Sequence, residues 1–331
     1  MKPDVLILGQ GLAGTMLGWE LERAEIPFTI ADAGPKGTAS RVAAGLINPI
    51  TGRRLVKTAG VEALLPIART AYRDFGAACG VSVWRDLRVH RLLVDERERR
   101  VAAEKRDRGE LAPYLGAADS DGIWIEGAAQ VDLPALIDAG RARWQAQGRW
   151  RAEQISPAAA AAAAGWVIDC RGLPPAREGV LGLPWRWSKG ETLQIEVDGL
   201  APDVVLNDGN WVVPMPGSRA WVGATHEPGI VDAEPTPAGR AGLEAAAQRL
   251  LRRPFVVASH WAGVRVHLPD KLPVSGLDPA RSQGGLINGL GAKGALFAPT
   301  LARAWAEHLS HGRPFDPIYA PARFGPGQPA A

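Results

Sequence analysis

The sequence predicts an α/β protein that opens on a parallel βαβ unit and carries a second, strand-rich segment later in the chain. Two observations predict it. The first 32 residues read strand, glycine loop, helix, strand, acid. The stretch 185–226 alternates short apolar runs with Gly and Asp-Gly-Asn turns, the patterning of an antiparallel sheet. The length of 331 residues exceeds one ordinary domain and suits two, or one large domain with an insertion.

Composition narrows the function classes. With 46% hydrophobic and 22% charged residues the chain is globular rather than disordered. The 38 Lys and Arg against 35 Asp and Glu leave a net charge of +3, too small an excess for a dedicated nucleic-acid binder. Two cysteines, Cys79 and Cys170, supply neither a disulfide framework nor, alone, a four-ligand zinc site, so no metal centre is expected. No apolar run reaches membrane-spanning length. The start Met1-Lys2-Pro3-Asp4 lacks a basic segment leading to a cleavage site, so the expected location is cytoplasmic.

Val5-Leu6-Ile7-Leu8 is an aliphatic run fit for one buried strand. It ends at Gly9-Gln10-Gly11-Leu12-Ala13-Gly14, where a helix starts with Leu12, Met16, Trp19 and Leu21 on or near one face. Pro27–Ala31 is a second strand, ending in Asp32. Each glycine has a task in a Rossmann-like turn. Gly9 permits the tight bend, Gly11 lets the backbone approach a pyrophosphate at the positive helix end, and Gly14 lets helix and strand pack closely. Asp32, 18 residues after Gly14, is placed to accept hydrogen bonds from a ribose hydroxyl. An acid there, rather than a nearby Arg, favours FAD or NAD over NADP.

Later segments continue the pattern. Residues 39–49 are rich in small residues around Gly45 and an Asn48-Pro49 turn, which would let backbone lie against a flat ring, the alternative being a plain surface loop. Residues 61–78 form an amphipathic helix through Val61, Leu64, Leu65, Ala68, Ala71, Tyr72 and Phe75. Trp84–Val94 reads as strand and 95–108 as an exposed charged helix. Trp166–Asp169 is a strand running through Cys170 and Arg171 to Gly172, and 238–252 is helical. Gly284–Gly294 is again strand and glycine loop, followed by a helix from about Ala298 to Leu309. Pro157 with alanines 158–164 reads as loop or helix extension, and the tail from Pro321 as frayed.

In this order the segments resemble the FAD-dependent amino-acid and amine oxidoreductase superfamily of D-amino-acid oxidase, glycine oxidase and sarcosine oxidase. Gly127–Leu136, Trp211–Pro216, Trp221–Thr225 and Trp261–Gly276 carry the resemblance beyond the N-terminal fingerprint. It implies an FAD-binding domain of the glutathione-reductase type in three pieces, 1–80, 125–175 and 260–331. It also implies an α+β substrate domain on an antiparallel sheet, 81–124 and 176–259. It implies oxidation of the C–N bond of a small amine or amino acid, with hydride passing to flavin N5, hydrolysis of the imine, and reoxidation by oxygen or a quinone. Ala262–Gly276 and Gly289–Gly294 also resemble the flavin domain of the bacterial enzyme that trims carboxymethylaminomethyl-uridine in tRNA. That enzyme usually has Ser-Arg where this chain has Ala292-Lys293, and no stretch here resembles its methyltransferase partner. A modified tRNA wobble uridine is therefore the alternative substrate. A non-catalytic flavin- or NAD-binding protein is the third reading.

The resemblance assigns residues. Gly9, Gly11, Leu12, Ala13, Gly14 and Asp32 hold the ADP half. Ala44, Gly45, Asn48, Gly289, Gly291, Ala292, Lys293 and Gly294 frame the flavin, Ser40 and Gly172 are further cofactor-binding residues, and FAD is bound non-covalently because neither cysteine suggests a covalent link. Arg265 holds a substrate carboxylate through two parallel hydrogen bonds, the alternative being a structural ion pair with Asp270. Lys293 places positive charge near the flavin pyrimidine ring, or is a plain loop lysine. His267 is able to act as a base, but flavin amine oxidation needs little acid–base help, and it reads with His226 and His260 as a satisfied or surface histidine. Trp185, Trp187 and Trp211 read as core, with one of them able to line the pocket. The nine cations and seven acids of Arg85–Glu110 read as a solvated helix rather than an RNA-binding face.

Overall fold

A computed structural model describes residues 4–34, 38–156, 159–160, 165–173, 180–279, 281 and 283–325. The strands are β1 (Val5–Leu8), β2 (Phe28–Ala31), β3 (Leu46–Ile47), β4 (Ile50–Thr51), β5 (Val56–Lys57), β6 (Trp84–Leu92), β7 (Leu115–Ala118), β8 (Gly122–Val131) and β9 (Trp150–Arg151). They continue as β10 (Trp166–Asp169), β11 (Arg186–Glu196), β12 (Val204–Asn207), β13 (Trp211–Met215), β14 (Arg219–Gly223), β15 (Glu227–Pro228), β16 (Val256–His267), β17 (Val274–Leu277) and β18 (Gly284–Asn288). The helices are α1 (Leu12–Arg23), α2 (Ala39–Val42), α3 (Val61–Cys79), α4 (Glu96–Asp107), α5 (Leu133–Ala146), α6 (Pro237–Leu251) and α7 (Gly294–His311).

Among the described residues one sheet runs β17-β18-β10-β1-β2-β9, parallel except for the antiparallel edge strand β17. All four residues of β1 are buried, as its aliphatic run requires of a central strand. The second sheet runs β15-β11-β14-β13-β12-β6-β8-β3, with β16 paired to β11 and β7 to β8. Its neighbours are antiparallel except β12 and β6, which meet in parallel from segments far apart in the chain.

Three expectations need correction. Helix α1 is buried from Leu12 through Leu21, not along one stripe, because α7 and α5 both pack on it. Glu20 is buried with it, and burial raises its carboxyl above the usual carboxylate range against the pull of Arg23. Helix α7 starts at Gly294, ahead of the expected Ala298, and carries Pro299 inside it. Proline has no N–H for the carbonyl four residues back. That carbonyl, on Ala295, instead accepts from the buried hydroxyl of Tyr72 at 2.9 Å. The tail is ordered at Pro321–Phe324, where Arg323 donates to Asp270 at 2.8 Å and to the carbonyls of Tyr319 and Leu272. The alanine run at 161–164 and the tail from 326 lie outside the described residues.

Candidate active site

A cavity of about 880 Å³ opens where the loops after β1, β2, β10 and β18 meet the second sheet. This is the carboxyl end of the parallel strands, where open α/β sheets bind ligands. Helices α1 and α7 both begin on its wall. Neither has a side-chain cap or an acid in its first turn, so two positive helix ends face the cavity. The cavity is large enough for an extended dinucleotide and offers it anion-favouring backbone at two points.

The local backbone explains the glycines. Gly9 has φ +90°, and a β-carbon there would lie 2.9 Å from Arg171 Cα. A β-carbon on Gly14 would collide with the Gly9 carbonyl, so helix and loop can close only without one. Leu12 N–H donates to Ser40 Oγ at 3.1 Å, tying the segment after β2 to the glycine turn. Asn288 does the same across the sheet. Its Nδ2 donates to the Gly172 carbonyl at 2.8 Å, and its Oδ1 accepts from Gly289 N–H.

Gly9, Gly11, Leu12, Ala13, Asp32, Ser40, Ala44, Gly45, Asn48, Gly172, Gly291, Ala292, Lys293, Gly294 and Arg265 all line the cavity. Gly14 and Gly289 stand behind the wall. An acid at position 32 in place of a nearby arginine is what favours FAD or NAD over NADP. Such an arginine is present: Arg141, from α5, donates to Asp32 Oδ2 at 3.0 Å and lies 4.8 Å from the Trp150 ring centre. It comes from 109 residues away, beyond the reach of local pattern.

Arg265 does not pair with Asp270, which is taken by Arg323. Its Nη1 donates to the Thr225 carbonyl at 3.3 Å, and its guanidinium lies over Gly190 on the neighbouring strand. No carboxylate pairs with it among the described residues, and burial pushes its pKa down, so a desolvated cation faces the cavity. Lys293 is half-buried with no described partner, and burial lowers its amine as well. His260 is held at 2.7 Å by buried Glu191, which also accepts from Thr236. His267 is 3.1 Å from Lys271 Nζ and off the cavity wall. Burial and the neighbouring cations Arg265 and Lys271 lower His226. Among the tryptophans Trp211 lines the cavity, Trp185 is core, and Trp187 donates to the Gly229 carbonyl at 3.1 Å.

Part of the charged run is not solvated. Arg91 is 4% and Glu98 2% exposed. They pair at 3.0 Å, and Arg91 lines the cavity beside Asn207. Strand alternation was the available signal: Val89 and Arg91 share the inward face of β6. Cys170 also lines the cavity, with its thiol held far above its usual range by burial.

The family described as FAD dependent oxidoreductase (DAO) matches residues 4–308. A glycine oxidase of Pseudomonas putida is 25% identical over 98% of this chain and 99% of its own length. A bifunctional protein of tRNA 5-methylaminomethyl-2-thiouridine biosynthesis from Maricaulis maris is 36% identical over 35% of this chain and 20% of its own. The crystal structure of an iminodiacetate oxidase from Chelativorans sp. BNC1 superposes with a TM-score of 0.78 at 21% identity, covering 96% of this chain and 98% of that one.

Proposed function

Because this chain belongs to the family of FAD-dependent oxidoreductases, we propose that it oxidises the C–N bond of a small amine or amino acid that carries a carboxylate. The observation that carries this reading is Arg265, a half-buried guanidinium without a described carboxylate partner on the wall of the cofactor-sized cavity. The similarity to a glycine oxidase, an enzyme named for an amino acid, supports it.

In this reading residues 1–80, 125–175 and 260–331 form the FAD-binding part, and 81–124 with 176–259 the substrate part. The first turn of α1 at Gly11–Ala13 receives the pyrophosphate, and Asp32 accepts from the adenosine ribose. Ser40, Ala44, Gly45, Asn48 and the 289–294 loop frame the flavin. When bound there, FAD would supply a two-electron acceptor for hydride from the carbon next to nitrogen. The neutral, buried thiol of Cys170 suits a non-covalent cofactor.

Arg265 grips the carboxylate bidentately and so fixes the adjacent carbon. Arg265 and Lys293 together disfavour an ammonium in the cavity, which favours the neutral amine whose lone pair assists C–H cleavage. Lys293 stabilises negative charge that gathers at the end of α7, adding to the helix dipole. The imine leaves to hydrolyse in water. Oxygen or a quinone serves as final acceptor. A cytoplasmic location belongs to the same proposal: Cys79 and Cys170, both free, suit a reducing compartment. No described helix is long and apolar enough to cross a membrane.

The test begins with the visible spectrum of purified protein and acid release of its chromophore. A yellow protein that releases FAD is then mixed anaerobically with amino acids and amines. Bleaching by carboxylate-bearing amines, with KM strongly raised by Arg265→Ala and FAD retained, is the expected result. A protein that stays colourless after incubation with FAD overturns the proposal. A tRNA substrate is the second reading, favoured by the partial match to the tRNA-biosynthesis protein. It requires salt-sensitive tRNA binding.

A further inference from the structure

The cavity has a second polar end, and we infer that Arg91 and Asn207 bind a second carboxylate there, so that the substrate is an amino or imino acid bearing two. This rests on the reading of Arg265 as the first carboxylate site. Arg91 on β6 and Asn207 on β12 are direct neighbours in the parallel pairing, and both line the same cavity as Arg265. Both are buried, at 4% and 9% exposure.

Their hydrogen bonds leave donors and no acceptors. Asn207 Oδ1 accepts from Arg91 Nη1 and from Gly209 N–H, which fixes the amide orientation. Its Nδ2 has no partner among the described residues. Arg91 Nη2 donates to Glu98 Oε2 at 3.0 Å, while Glu98 Oε1 takes Arg53 Nε at 2.7 Å. One buried carboxylate therefore serves two guanidiniums. Asp95 meets Arg53 at its outer, exposed side and does not reach Arg91. Arg91 Nε is sealed from the cavity, so the donors that face it are the remaining N–H groups of Nη1 and Nη2. A buried guanidinium is costly unless its donors are used, and a structural ion pair alone leaves Asn207 Nδ2 unexplained. A planar acceptor of negative charge completes the set, and a carboxylate matches the guanidinium fork.

The strand order sets the spacing. From β16, which carries Arg265, the path β11-β14-β13-β12-β6 reaches Arg91 in five steps. At about 4.8 Å each the backbones are on the order of 24 Å apart along a flat sheet, which twist and two arginine side chains shorten. Trp211 lies on an intervening strand and lines the cavity, offering an apolar floor for a spacer. The second carboxylate is thus several carbons from the first.

The experiment titrates FAD-loaded protein with non-oxidisable diacids from succinate to suberate, and with monoacids of equal carbon number, following the flavin absorption. One of the longer diacids is expected to bind roughly 10- to 100-fold tighter than its monoacid, the range for hydrogen bonds to a charged group. Asn207→Asp keeps the bonds to Arg91 and Gly209 N–H but sets an oxygen where Nδ2 donates, so it should erase that advantage. Arg91→Met should erase it too. Diacids no tighter than monoacids, or an advantage that survives both substitutions, overturns the second site alone. If monoacids also fail to bind, the Arg265 reading falls with it.

Discussion

Gly190→Ala is the sharpest perturbation of the site, because it moves one guanidinium and little else. A β-carbon at Gly190 would stand closer than 3.0 Å to Nη1, Nη2 and Cζ of Arg265. Carbon contacts settle near 3.5–4.0 Å, so the guanidinium must retreat by roughly 1 Å or more. The φ of Gly190 lies outside the left-handed region, so alanine adds no backbone strain. The displaced group is the end of a flexible side chain, and thermal stability should change little. A misplacement of about 1 Å at a substrate clamp costs on the order of 100-fold. The expected loss in kcat/KM for a carboxylate-bearing amine is therefore roughly 10- to 100-fold, or about 1.4–2.7 kcal/mol. The assay pairs steady-state turnover with anaerobic bleaching and a melting curve on the same preparation. An unchanged kcat/KM in a well-folded, FAD-loaded Gly190→Ala protein would refute the view that Arg265, seated on Gly190, orients the substrate.

Other consequences follow from the same geometry. Gly14→Val puts side-chain carbon into the Gly9 carbonyl, which backbone cannot cheaply yield, so the protein should purify with little FAD; full FAD content would remove Gly14 from the argument. Tyr72→Phe strands the Ala295 carbonyl and should cost about 1–3 kcal/mol. In a Pro299→Ala background the new N–H can bond that carbonyl, so the cost should shrink; an equal cost in both backgrounds would contradict it. His226 and His267 are both held below the ordinary histidine value of 6.5, by burial first and then by Arg265, Lys271 and Arg186. The folded state then binds fewer protons than the unfolded one. The resulting stability is fully present above the ordinary value and is lost as pH falls through it toward the folded values. Melting temperature should drop between about pH 8 and pH 5, less so in His267→Gln, and a variant with the wild-type slope would exclude His267.

The extent to which this protein is legible from its sequence depends on the range of each interaction. The fingerprint at Gly9–Gly14 and the strand β1 are local: φ sign, helix start and aliphatic run lie within a dozen residues, and the fold realises them where expected. The wall positions of Ser40, Asn48 and the 291–294 loop follow from the same strand–turn–helix logic. Helix α7 began earlier than its composition suggested because its proline is accommodated by Tyr72, more than two hundred residues away in the chain. The partner of Asp32 comes from α5, that of Asp270 from the C-terminal turn, and that of Arg265 is a carbonyl reached through strand pairing.

By itself the sequence determined a glycine turn between a buried strand and a helix on a parallel sheet, while the family resemblance singled out Arg265. Only the tertiary structure decided which charges are paired. Arg91 sits in a charged stretch and Arg323 in a tail with no other charge, yet the first is buried on the cavity wall and the second is tied down by Asp270. Hydrophobic period and turn chemistry act between neighbours in sequence. Ion pairing and desolvation act between neighbours in space, and those are set only when the two sheets close around the cavity.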